Sequence, residues 1–149
     1  LTELVIKYIE IDQTLSQLLI KNILKYWPNE NSNKQLKFIN EIKIILSIIE
    51  LEQFKQFYSP LFLQISKCIQ SSHCKISTNS LQIFKEEGKI KYLLNELNKQ
   101  IIPIILPSIK LTCINHWNKN VKQLAEDIKN ILIEIDWKLC NKLINEINI

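Results

Sequence analysis

Apolar residues return every three or four positions over almost the whole chain, and one glycine, Gly88, interrupts the pattern. Val121, Leu124, Ile128, Ile131, Leu132 and Ile135 fall on one stripe of an α-helix, and so do Leu15, Leu18, Leu19, Ile23 and Tyr26. No segment sustains alternation at a period of two, so the spacing predicts helices and no sheet. A single glycine and four prolines exclude collagen-like chains and Gly-rich linkers. They also exclude phosphate-binding loops and dinucleotide fingerprints, which need glycines close together.

The breakers set the expected boundaries. A helix ends at Trp27, because Pro28 disfavours helical geometry in the residue before it. The polar run 29–33 is a loop in which Ser32 or Asn33 caps a helix over 34–50. That helix is apolar on more than one face (Leu36, Ile39, Ile42, Ile45, with Ile44 and Ile48), which requires cover on both sides. A fourth helix over 52–70 is bent or restarted near Pro60, and Ser71, Ser72 and His73 form a turn. Helices follow over 75–84 and 89–100 and, punctuated by its prolines, over 102–111, with Gly88 marking a break. A turn at 115–118 leads to helices over 119–135 and 137–148, separated at Asp136.

Pro60 and Pro103 stand 43 residues apart, and so do His73 and His116. In each copy an apolar helix follows the proline, and a His-containing turn precedes the next helix. Two-helix units with a period of roughly 40–47 residues mark HEAT-type solenoids. Each pair leaves one apolar face open, which only stacking closes. The expected fold is an all-α, HEAT-like solenoid of stacked antiparallel helix pairs, forming one segment over 1–149. With no methionine in the chain, that segment is expected to be a piece of a longer protein.

The chain is 46% apolar and 23% charged, enough apolar side chain to offset the entropy of ordering. No apolar run reaches the ~18 residues of a membrane-spanning helix. The net charge of +4 is even along the chain: residues 1–75 carry 9 lysines and 7 acids, residues 76–149 carry 10 and 8. A nucleic-acid binder concentrates its basic groups, so no nucleic-acid partner is expected. Cys68, Cys74, Cys113 and Cys140 form no CxxC pair and read as thiols in a reducing compartment.

Solenoid turns line one ridge, which makes His73, His116, Trp117, Asn118 and Lys119 candidates for contact with a partner. The competing reading, preferred for the histidines, is a ring that caps neighbouring carbonyls. For Trp117 it is a side chain packed between repeats. Cys113 and His116 have a zinc-ligand spacing, with Cys68, His73 and Cys74 as further donors. Cys68 and Cys113 fall on apolar helix stretches, however, and no second paired half is present. No metal or cofactor is expected. A Cys74–His73 dyad lacks an orienting acid, and Glu86 and Glu87 face about 100° apart on a helix. The chain is read as a non-enzyme. Lys85, Lys89 and Lys91 form either a small basic patch or an ordinary wet helix end.

Several of these stretches resemble the regulatory B-prime subunits of protein phosphatase 2A. "ILKYWP" (23–28), "KFINEIKIIL" (37–46), "SPLFLQISKCIQSSH" (59–73), "IIPIILPSI" (101–109) and "HWNKNV" (116–121) follow in that family's order, in register from Leu1 to about Lys142 with roughly one inserted residue near Gly88. The resemblance implies the C-terminal part of a HEAT-like solenoid that performs no chemistry. It implies docking to the phosphatase scaffold and catalytic subunits, selection of phosphoprotein substrates, and a cytoplasmic location, with nuclear or cytoskeletal and ciliary sites open. The family's groove for Leu-x-x-Ile-x-Glu peptides lies upstream of these residues. Departures occur at Leu51, where the family has proline, at Thr78, and at Phe84 to Glu87, where it has Trp-Asn-Asn-Glu. They leave a divergent structural solenoid, without phosphatase association, as the alternative.

Overall fold

The structure, a computed structural model, describes residues 2–147. Among these the chain forms nine α-helices and no strand. They are α1 (Thr2–Ile11), α2 (Thr14–Lys25), α3 (Ser32–Leu46), α4 (Leu51–Ile69), α5 (Cys74–Gln82), α6 (Lys89–Glu96), α7 (Asn98–Asn115), α8 (Lys119–Ile135) and α9 (Trp137–Ile147). A single 3-10 turn at Ile83–Lys85 follows α5. The expected end of the last helix at residue 148 lies outside the described residues.

α2, α4 and α7 pack side by side in one layer, and α3, α5 and α8 in a second. The helix pairs α2/α3, α4/α5 and α7/α8 are thus three stacked repeats of an all-α solenoid. α1 packs on α2 and α3 at one end, and α9 on α7 and α8 at the other. One continuous core runs between the layers, with Phe54, Leu61, Phe62 and Ile65 of α4 and Ile105, Leu106 and Ile109 of α7 buried at its centre. Each such side chain contributes about 1.5–3 kcal/mol through removal from water. Trp27 is buried and meets Phe38 edge to face, their centroids 5.8 Å apart. Ala125, the chain's one alanine, is fully buried on α8.

A polar seam fixes the register of α4 against α7. The hydroxyls of Ser66 and Ser108 hydrogen-bond to each other, and Gln70 Nε2 donates to Ser108 Oγ at 2.8 Å. Thr112 Oγ1 donates within its own helix to the Ser108 carbonyl (2.8 Å) and across to that of Ile69 (3.3 Å). These partners lie 38 to 43 residues apart in sequence, so the repeat spacing read from Pro60/Pro103 and His73/His116 is the spacing of the stacked helices.

Four boundaries differ from expectation, each for a physical reason. The cap of α3 is Asn31, whose Oδ1 accepts the Lys34 N–H at 3.1 Å, and not Ser32 or Asn33. α3 stops at Leu46; Ile49 extends the apolar period but is a buried plug in the turn, where Gln13 Oε1 accepts the Glu50 N–H at 3.1 Å. α4 runs through Pro60 without a restart. α7 contains Pro103 and Pro107, as expected, but begins earlier, because the break before it falls at Leu97 instead of after Gln100. Pro60 and Pro103 are exposed, so the carbonyls left without a helical donor lie on the wet side of the layer.

Candidate functional site

The turn before α5 and the turn before α8 lie next to each other, and side chains stitch them together. His116 Nδ1 accepts the Asn118 N–H at 3.1 Å. That leaves the imidazole proton on Nε2, which donates to the Ser71 carbonyl at 2.9 Å. Trp117 Nε1–H donates to the next carbonyl, Ser72, at 2.8 Å. Asn118 Nδ2 contacts Cys74 Sγ at 3.2 Å, and Asn118 Oδ1 caps α8 by accepting the N–H groups of Asn120 (2.8 Å) and Val121 (3.2 Å).

This arrangement sorts the five candidates. His116 is 6% exposed, and both its ring nitrogens are engaged within the chain, as the carbonyl-capping reading requires. Asn118 is half-buried and spent on the cap. His73, Trp117 and Lys119 face outward. The preferred reading of Trp117 as packed between repeats is overturned: the indole is 68% exposed. It is nonetheless held, by its hydrogen bond to Ser72 and by stacking on His116 with centroids 5.9 Å apart.

Trp117 stands between two clefts. One, of about 170 Å³, also meets Gln70, Ser72 and Leu111. The other, of about 450 Å³, reaches Leu36, His73 and Lys75. Leu111 and the Ser72 carbonyl escaped the sequence reading; Leu111 lies six residues before Trp117 on an apolar run that gives no sign of which members stay exposed. The site presents an aromatic plate, an apolar neighbour and the cations Lys75 and Lys119, and nothing in it is arranged for bond making or breaking.

The other chemistry-bearing residues are committed elsewhere. Burial, then the Glu126 carboxylate, pushes the Cys113 thiol up to about 11. Burial raises Cys68 as well, and Cys140 Sγ points to the Leu132 carbonyl at 3.4 Å. Among the described residues no three His, Cys, Asp or Glu side chains are grouped to hold a metal. Lys85, Lys89 and Lys91 do not form a basic patch: they pair with Asp127 (3.7 Å), Glu50 (3.1 Å) and Glu87 (3.3 Å). Glu86 pairs with Lys43 at 3.6 Å. No described helix is long and apolar enough to cross a membrane.

A model of the protein phosphatase 2A regulatory B subunit (B56 family) matches residues 1–148. The chain belongs to the B56 family. It is 36% identical over 139 residues to the 56 kDa regulatory subunit alpha isoform of serine/threonine-protein phosphatase 2A from Mus musculus, covering 93% of this chain and 28% of that protein. It is 32% identical over 139 residues to the serine/threonine-protein phosphatase 2A regulatory subunit pptr-1 from Caenorhabditis elegans, covering 93% and 26%. The 56 kDa regulatory subunit delta 2 isoform from Schizosaccharomyces pombe is 32% identical over 146 residues, covering 98% and 23%. The chain therefore spans about a quarter of the length of these B56 relatives. The likeness carried by "ILKYWP" through "HWNKNV" is thus family membership, and the outward Trp117 belongs to the last of those stretches.

Proposed function

We propose that this chain forms the C-terminal repeats of a non-catalytic regulatory subunit of protein phosphatase 2A. In this reading the ridge around Trp117 docks the scaffold and catalytic subunits, and the solenoid directs dephosphorylation of phosphoprotein substrates in the cytoplasm. The observation that carries the reading is the family match over residues 1–148. The ridge geometry supports its location. Tryptophan dominates interface hot spots, and an indole already oriented by Ser72 and His116 loses little freedom on binding. The mechanism is geometric: a stack of helix pairs holds a substrate close to the catalytic subunit and raises its effective concentration.

Reconstitution tests it. The full chain, mixed with purified scaffold and catalytic subunits, is expected to co-migrate with them on gel filtration. Migration of the chain alone at low salt would replace this reading with a purely structural solenoid.

A further inference from the structure

Charge is even along the chain but not between the two layers. α2, α4 and α7 carry Lys21, Lys25, Lys55, Lys67, Lys99 and Lys110 against one carboxylate, Glu52. Glu52 is already paired with Lys55 at 3.5 Å. Among the described residues no carboxylate pairs with Lys21, Lys25, Lys67 or Lys99. In the second layer α3, α5 and α8 carry seven lysines against four carboxylates, and α8 on its own balances Lys119, Lys122 and Lys129 against Glu126, Asp127 and Glu134. The first layer thus carries the larger excess of positive charge and only one carboxylate.

That layer also holds an open groove of about 560 Å³ between α2 and α4. Ile20, Leu24, Phe57 and Pro60 give it an apolar lining. Lys21 and Lys25, one helical turn apart and both exposed, line the α2 side. Gln17 Nε2 donates to Gln53 Oε1 at 2.6 Å and ties the two helices together beside it. None of these residues belongs to the Trp117 ridge.

We propose that this groove is a second docking surface, which takes an acidic protein segment. An apolar side chain of the segment enters between α2 and α4, and flanking carboxylates meet Lys21 and Lys25. The volume lies within the range of roughly 300–1,000 Å³ typical of ligand pockets. Charge complementarity selects the sign of the partner. The apolar lining selects its class, because a nucleic-acid backbone or a lipid headgroup satisfies the lysines and leaves the half-buried Leu24 and the exposed Pro60 wet. The proposal does not depend on phosphatase docking.

The test is fluorescence anisotropy of the full chain with a fluorescein-labelled peptide, Asp-Glu-Leu-Phe-Asp-Glu. Saturable binding is expected, weakening as salt screens the lysines. The double variant Lys21→Glu, Lys25→Glu should bind at least about tenfold more weakly with unchanged thermal unfolding, because both side chains are exposed. Gln56→Glu, another exposed residue lining the groove, should weaken the acidic peptide and spare a peptide with lysine at the acidic positions. Trp117→Ala should leave binding intact. Absence of binding would overturn the proposal, as would charge reversal without effect. Equal binding of a peptide with serine in place of Leu-Phe would also overturn it. Tighter binding of a single-stranded oligonucleotide or of phosphatidylserine vesicles would assign the face to those partners instead.

Discussion

The His116 imidazole donates to the Ser71 backbone carbonyl at 2.9 Å, joining the turns of two successive repeats across 45 residues of sequence. The bond holds one turn at a fixed height against the other. The neighbouring indole of Trp117 therefore meets Ser72 without being buried. A buried polar side chain here sets the position of an exposed apolar one.

His116→Ala should destabilise the chain by about 1–3 kcal/mol, because the buried ring is lost and the part-buried Ser71 carbonyl and Asn118 N–H lose their partner. Urea denaturation should show a lower midpoint and an unchanged slope. An unchanged midpoint would mean that water replaces the ring at no cost.

Ala125 is fully buried on α8, where the chain otherwise uses large aliphatic residues. Ala125→Leu should cost about 1–3 kcal/mol by overpacking, and Ala125→Gly about 1 kcal/mol through backbone entropy. Thermal unfolding of the pair should show both variants below the parent chain. A stabilised leucine variant would reveal an unfilled space beside α8.

Cys113 should resist alkylation at neutral pH, since its thiol is pushed up to about 11 by burial and by Glu126. Its iodoacetamide rate should keep rising beyond pH 9, where an ordinary thiol levels off. Glu126→Gln should move that profile toward lower pH. The sign for stability follows. A thiol whose pKa is raised by folding contributes fully below the unfolded value of about 9, and the contribution is lost as pH rises toward 11. A rate profile levelling near 9 would contradict this environment for Cys113.

The features legible in the sequence are those whose cause is local. Pro28 ends α2 near the predicted residue, Asp136 separates α8 from α9, and Gly88 takes the positive φ (76°) that begins α6. The 43-residue echo was legible because stacked repeats place like residues side by side. The restart offered at Pro60 is absent because a proline whose freed carbonyl reaches water interrupts hydrogen bonding without ending the helix. Ile49 misled because a turn plug and a core-facing helical residue share the same apolar period. The exposure of Trp117 was hidden, since its partner is a backbone carbonyl with no side-chain signature. The scarcity of acids on one layer was hidden too: α2, α4 and α7 alternate along the chain with helices and turns that hold most of the carboxylates, so a contiguous window averages them.

Isothermal titration of the full chain with the purified scaffold–catalytic pair, alongside its Trp117→Ala variant, tests the central claim most directly. The parent chain is expected to bind. The variant should lose about 2 kcal/mol, roughly 30-fold in affinity, with an unfolding midpoint within a few degrees of the parent's. No binding by the parent chain, or equal binding by the variant, would contradict docking through this ridge.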